Sequence, residues 1–110
     1  MTTCYALDLK NDAALIAAYE SWHRAVWPEV LEHLKAQGIR SCSIHRTGNR
    51  LFMIVGSDSG AATDGGGSPL PPRVQEWEDL MATYQQALPF AKPGEKWVRM
   101  DRIFDWNTAK

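Results

Sequence analysis

The order of apolar patterns along the chain predicts an α+β fold of the ferredoxin-like type, β-α-β-β-α-β, with an antiparallel sheet and both helices on one face. Three observations carry this. Tyr5, Leu7 and Leu9 alternate with Ala6, Asp8 and Lys10, the period of a half-buried strand. Thr47-Gly48-Asn49 joins two strand-like runs tightly, a hairpin signal. Helix-period segments lie before and after that hairpin. At 110 residues the chain is expected to form one domain, residues 1–110, large enough to bury a single core.

Taken in order, the first strand is followed by Asn11-Asp12, which offers a side-chain cap and negative charge to the positive end of a helix dipole. The helix begins near Ala13, with Leu15, Ile16, Tyr19, Trp22, His23 and Val26 on its inward side. Pro28 lacks an N–H and crowds the preceding turn, so a kink or restart is expected there. The second piece runs Glu29 to Gln37, with Pro28 near its first turn, and Gly38 supplies a left-handed stop. Ile39 to Arg46 and Arg50 to Gly56 are the hairpin strands; Leu51 to Val55 is the more apolar run and is expected to be central. Ser57 to Pro72, dense in Gly, Ser and Pro, reads as a long loop. Its Gly65-Gly66-Gly67 is no phosphate cradle, because no Lys-Ser/Thr follows. A helix from about Arg73 to Leu88 is marked by Val74, Trp77, Met81, Tyr84 and Leu88 and ended by Pro89 and Pro93. Lys96 to Phe104 is the last strand.

Composition excludes several function classes. A formal charge of -1 leaves no electrostatic footprint for nucleic acid or an anionic membrane. No apolar run approaches membrane-spanning length. Cys4 and Cys42 make neither a metal-ligand spacing nor a disulfide framework. His23, His33 and His45 show no clustering with carboxylates or thiols at zinc spacing, so no metal or cofactor is expected. Met1-Thr2-Thr3-Cys4 lacks the basic and apolar regions of a signal peptide, and the expected location is the cytoplasm.

The chemistry concentrates in Tyr19-Glu20-Ser21-Trp22-His23-Arg24-Ala25-Val26-Trp27-Pro28-Glu29. On one continuous helix Tyr19, His23 and Trp27 would share a face at i, i+4 and i+8. An imidazole exchanges protons near neutral pH, and the aromatic neighbours offer an apolar wall and a phenolic hydrogen bond. Such a stripe is also a common form of core packing. His45, Asp8 and Glu29 are the candidates for a second proton-transfer group, although Glu29 can equally cap the helix restart. Along the hairpin's first strand, Cys42 and Ile44 oppose Ser41, Ser43 and His45, so one set faces away from the helices. The open face of the sheet is either wet or covered by another subunit. Five tryptophans are many for one small core. Trp97 either packs under the first helix or, with Trp106, reaches an interface between two copies.

Several motifs together resemble the L-rhamnose mutarotases: Tyr19-x-x-x-His23-x-x-x-Trp27-Pro28-Glu29, Leu34-Lys35-x-x-Gly38, Asn49-x-Leu51-Phe52, Trp77 with Met81, Leu88-Pro89 and Arg102-Ile103-Phe104. The resemblance covers nearly everything outside the loop. It implies a dimeric α+β barrel that interconverts the anomers of a 6-deoxy-L-hexose pyranose without metal or cofactor. By the same resemblance His23 is the acid–base residue, Tyr19 contacts the substrate and Trp77 is part of the sugar-binding wall. Trp27, Cys42 and His45 complete the expected binding set. Two positions depart from rhamnose-acting members: Cys42 stands where they carry a tyrosine, and Glu78 where they carry a second tryptophan. Lys92-Pro93-Gly94-Glu95-Lys96-Trp97 is similar to a branch linked to L-fucose breakdown. The alternatives are a cofactorless monooxygenase on the same barrel and a non-catalytic small-ligand-binding domain.

Overall fold

The computed structural model describes residues 2–57 and 70–106. Most of the expected 57–72 loop therefore lies outside the described residues. Among the described residues, five strands and three helices follow in the order β1 (Thr2–Leu9), α1 (Ala13–Trp22), α2 (Pro28–Ala36), β2 (Ile39–Thr47), β3 (Arg50–Ser57), α3 (Pro72–Ala82), β4 (Gln85–Gln86) and β5 (Val98–Met100). β3 sits between β2 and β1; β4 and β5 share the far side of β1, and all pairings are antiparallel. This is the ferredoxin-like sheet with a two-residue strand added.

Local signals explain the boundaries. Asp12 Oδ1 accepts from the backbone N–H of Ala14 (2.9 Å) and of Leu15 (3.1 Å), satisfying two donors that a helix start leaves open. Gly38, at φ +80°, ends α2 in the left-handed region that glycine tolerates. Thr47 pairs directly with Arg50, so Gly48 and Asn49 form a two-residue turn, with Gly48 at φ +56°.

Three expected elements come out differently. The first helix stops at Trp22, several residues before the proline. Arg24 and Ala25 donate to the carbonyls three residues back, in tightened turns, and Trp27 adopts φ -59°, ψ 136°. The ring of Pro28 enforces that extended geometry on its predecessor. The α3 helix ends at Ala82 instead of Leu88. Thr83 Oγ1 donates to the Leu80 carbonyl (2.7 Å), Tyr84's carbonyl accepts from Lys10 N–H (2.9 Å), and Gln85–Gln86 pair with Leu9 and Asp8. The free backbone edge of β1 captured these residues against their helical periodicity. The last strand shrinks to Val98–Met100 because Met100 already faces Cys4, leaving Thr2 and Thr3 as the only β1 positions ahead.

Cross-strand register divides the sheet into two faces. Leu9 and Leu51 join Tyr19, Val30, Trp77 and Met81 in the core, so residues in phase with them (Tyr5, Leu7, Met53, Val55, Cys42, Ile44 and Arg46) point toward the helices. Leu7, Leu9, Leu51 and Met81 are fully buried, each contributing about 1.5–3 kcal/mol by apolar burial. The opposite face carries Cys4, Ala6, Asp8, Arg50, Phe52, Ile54, Ser43 and His45. Phe52, Ile54 and Met100 remain about 40% exposed there.

Candidate functional site

An open cavity of about 570 Å³ lies between the helices and the inner face of the sheet. Tyr19, Glu20, His23 and Arg24 line it from α1 and its C-terminal turn; Trp77, Glu78 and Met81 from α3; Cys42, Ile44, Arg46, Leu51 and Met53 from the sheet. Val30, Leu31 and Leu34 of α2, together with Val26, Gln85 and Trp97, complete the lining. Concave, mostly apolar walls with a few convergent polar groups suit a small ligand.

His23 caps the C-terminus of α1, half-buried. Its Nδ1 lies 2.9 Å from the Tyr19 carbonyl oxygen. That oxygen only accepts, so Nδ1 carries hydrogen and Nε2 is the nitrogen that takes up or releases a proton. The imidazole is held between the Tyr19 and Trp77 rings, with centroids 4.5 and 5.5 Å away, the Trp77 contact being T-shaped. Tyr19 is buried, and its hydroxyl accepts from Gln85 Nε2 at 3.3 Å. Burial, with a smaller contribution from the nearby negative charge of Glu78, pushes its pKa up to about 12 against the lowering effect of the Gln85 hydrogen bond. The phenol therefore stays neutral near pH 7, and its own O–H remains available to a ligand. Gln85 Oε1 is buried and has no hydrogen-bond partner among the described residues.

Trp77 is the hub of the aromatic wall. Trp22 and Trp27 meet it edge to face at 6.3 and 5.2 Å, and the Arg73 guanidinium sits 3.9 Å over Trp27. Trp22 Nε1 donates to Tyr84 Oη at 3.0 Å. Cys42 lies on the sheet wall with its thiol pKa raised by desolvation, which favours the neutral thiol.

Of the expected site residues, Tyr19, His23, Cys42 and Trp77 line the same cavity. Two members of the expected set lie elsewhere. Trp27 is the N-cap of α2 and supports Trp77 from behind; the helix break removes it from the face shared by Tyr19 and His23. His45 points to the opposite side of the sheet, opposite Phe52, where Nε2 meets Ser43 Oγ at 3.1 Å. The other expected proton-transfer candidates are engaged outside the cavity. Asp8 receives a two-pronged contact from Arg50 at 2.8 and 3.2 Å, and Glu29 faces Arg73 at 3.8 Å. Trp97 packs against the core instead of reaching outward, whereas Trp106 is 79% exposed. Gln85 and Arg46 were missed as cavity residues; Glu78, singled out as a departure from rhamnose-acting members, lines the cavity. For Arg46 the signal was available: it shares strand parity with Cys42. Among the described residues no three His, Cys, Asp or Glu side chains come together as a metal site, and no helix is long and apolar enough to cross a membrane.

A family model of L-rhamnose mutarotases matches residues 2–106. The chain is 50% identical to an L-fucose mutarotase of Xanthomonas campestris pv. campestris, over 96% of this chain and 88% of that protein. It is 31% identical to an L-rhamnose mutarotase of Acidiphilium cryptum, over 90% of this chain and 93% of that one. The crystal structure of an L-rhamnose mutarotase from Formosa agariphila superimposes with a TM-score of 0.69 at 22% identity, covering 96% and 97% of the two chains, a likeness of fold. By the family match and these relatives together, the chain belongs to the L-rhamnose mutarotase family.

Proposed function

We propose that this protein interconverts the α and β anomers of L-fucose, with His23 as a general acid–base. Family membership carries the reaction class, an isomerisation of 6-deoxy-L-hexose pyranoses at the anomeric carbon. The single observation behind the role of His23 is its geometry: Nδ1 is committed to the Tyr19 carbonyl, and the ring lines the cavity. Nε2 then exchanges a proton with the anomeric hydroxyl or the ring oxygen. Transfer near neutral pH is where an imidazole is most effective. Tyr19, with its oxygen occupied by Gln85, donates its hydrogen to a sugar oxygen. Trp77 offers an apolar surface to the C–H face or methyl group of the sugar. Trp27 acts only through Trp77.

The choice of L-fucose rests on the higher identity to the L-fucose enzyme and on Cys42 and Glu78. A thiol and a carboxylate give the wall a polarity that an aromatic pair lacks, and an unpaired polar group penalises the wrong epimer. Saturation-transfer NMR on L-fucose and L-rhamnose, with and without protein, tests both points. Exchange above the spontaneous rate is expected for both sugars, faster for L-fucose. A clear preference for L-rhamnose reverses the assignment, and no acceleration for either removes the mutarotase reading.

The same reading includes a homodimer formed through the open sheet face. Phe52, Ile54 and Met100 are exposed on that face, and Ile103, Phe104 and Trp106 are exposed just beyond β5. An apolar patch of this kind marks an interface. Cys4 and Cys42 are free thiols, in keeping with a reducing, cytoplasmic setting.

A further inference from the structure

Opening a pyranose moves two protons around one carbon. The anomeric hydroxyl loses its proton, the C1–O5 bond breaks, and the ring oxygen gains a proton. His23 has one nitrogen for this work, since Nδ1 is held by the Tyr19 carbonyl. One nitrogen serves one oxygen at a time, so a single imidazole must pass through a charged hemiacetal. Two groups acting together avoid that charge.

Among the described residues the cavity wall holds two carboxylates, Glu20 and Glu78. Glu20 is bound by Arg46, whose Nε lies 2.8 Å from Oε2. Glu78 has no such commitment. Among the described residues its charged contact is Lys96 at 3.9 Å, beyond hydrogen-bond distance, and its side chain is 38% exposed. It follows Trp77 in α3, and the Trp77 ring makes a T-shaped contact with His23 at 5.5 Å between centroids. The charge of Glu78 is felt at the Tyr19 phenol, whose ring rests on His23. A carboxylate with open acceptor sites thus shares one small space with the imidazole.

We propose that Glu78 is the second proton-transfer group of the mutarotase reaction, a proposal that rests on the mutarotase reading above. In ring opening the Glu78 carboxylate takes the proton from the anomeric oxygen. The C1–O5 electron pair moves to O5, which receives the proton from His23 Nε2, and C1 becomes an aldehyde carbon. After rotation about C1–C2 the protons run back: Nε2 takes the O5 proton, Glu78 returns its own to the carbonyl oxygen, and the other anomer closes. Both side chains regain their starting states, and no redox partner is needed. The active pair is a protonated His23 with an ionised Glu78.

The test uses the full chain and L-fucose, with kcat and KM for anomer exchange measured by NMR across pH. Glu78→Gln keeps shape and removes the base, so kcat is expected to fall ~100-fold or more, with KM little changed. Wild type should show a two-limbed pH profile, whose acid limb disappears in Glu78→Gln. Glu78→Asp, which keeps a carboxylate, should recover part of kcat. Lys96→Met, which removes only the ion-pair partner, should keep most of it. A Glu78→Gln enzyme with near-wild-type kcat, a rise confined to KM, or an equal loss in Lys96→Met would each overturn the assignment. Thermal midpoints of all variants separate misfolding from lost chemistry; if Glu78→Gln is unfolded, Glu78→Asp against Lys96→Met decides. Wild type without any acceleration defeats the mutarotase reading instead, so the two failures are distinguishable.

Discussion

Replacing His23 by Asn separates chemistry from packing at the site's centre. The imidazole donates Nδ1–H to the Tyr19 carbonyl at 2.9 Å and touches the rings of Tyr19 and Trp77. Asn retains an N–H donor near that carbonyl, and a helix end tolerates it well. The structural loss is then chiefly two ring contacts, each worth about 0.5–1.5 kcal/mol at most. Because His23 is only half-buried, the lower end applies to both, giving a total near 1 kcal/mol and a drop in Tm of about 4–8 °C. The catalytic loss is of another order. An amide neither takes nor gives a proton near pH 7, so the exchange rate should fall ~100- to 10,000-fold toward the spontaneous rate. Saturation-transfer NMR gives the exchange rate and a thermal melt on the same sample gives the midpoint. A His23→Asn protein that melts much earlier, yet exchanges anomers at the wild-type rate while folded, would show the residue to be packing alone.

Four further outcomes follow from the same geometry. Tyr19→Phe should slow exchange less than His23→Asn, because it deletes one hydroxyl while leaving the ring against His23; an equal or larger loss in the same assay would give Tyr19 the leading role. The raised Tyr19 pKa, about 12 against 10.0, makes folding favour the protonated phenol. Stability tied to this group is complete below pH 10 and is lost as pH rises through 12, by roughly 2–3 kcal/mol. Urea melts should therefore show a steeper alkaline decline for wild type than for Tyr19→Phe, and parallel curves would contradict it. Light scattering at micromolar concentration should give a dimer, and a fully active monomer would remove that assembly. Exchange should survive prolonged chelation; loss restored by a divalent ion would place a metal in the reaction.

Local capping and turn chemistry made much of the fold legible. Asp12, Gly38 and the Gly48-Asn49 turn each act through their immediate neighbours, so sequence spacing sufficed to place α1's start, α2's end and the hairpin. The failures share a different cause. Residues 83–88 continue a helical apolar period, yet Gln85 and Gln86 are drawn onto β1, nearly eighty positions earlier in the chain. Only tertiary pairing determines that outcome, and periodicity does not report it. The same long-range event hid Gln85. Read as a helical residue it was unremarkable; as part of β4 it reaches Tyr19 and leaves in the site's wall an acceptor with no partner among the described residues.

His23 shows why part of the site was readable while its supports were not. Four residues separate it from Tyr19, one turn, and the contact survives even though α1 ends just before it. Trp27 needed a second uninterrupted turn to share that face, and the extended geometry imposed by Pro28 denied it. The consequence is functional. With Trp27 packed against Trp77, the α3 ring that meets His23 is Trp77, and Glu78 lines the same cavity. The helix break thus transfers control of the sugar's environment from the neighbours of His23 in sequence to a helix some fifty residues away. Substitutions at Trp77 in α3 should consequently alter sugar choice more than substitutions at Trp27, whose effect passes through Trp77. Comparing the L-fucose to L-rhamnose exchange ratio for Trp77→Phe and Trp27→Phe tests this, and a larger change for Trp27→Phe would return that tryptophan to the cavity wall.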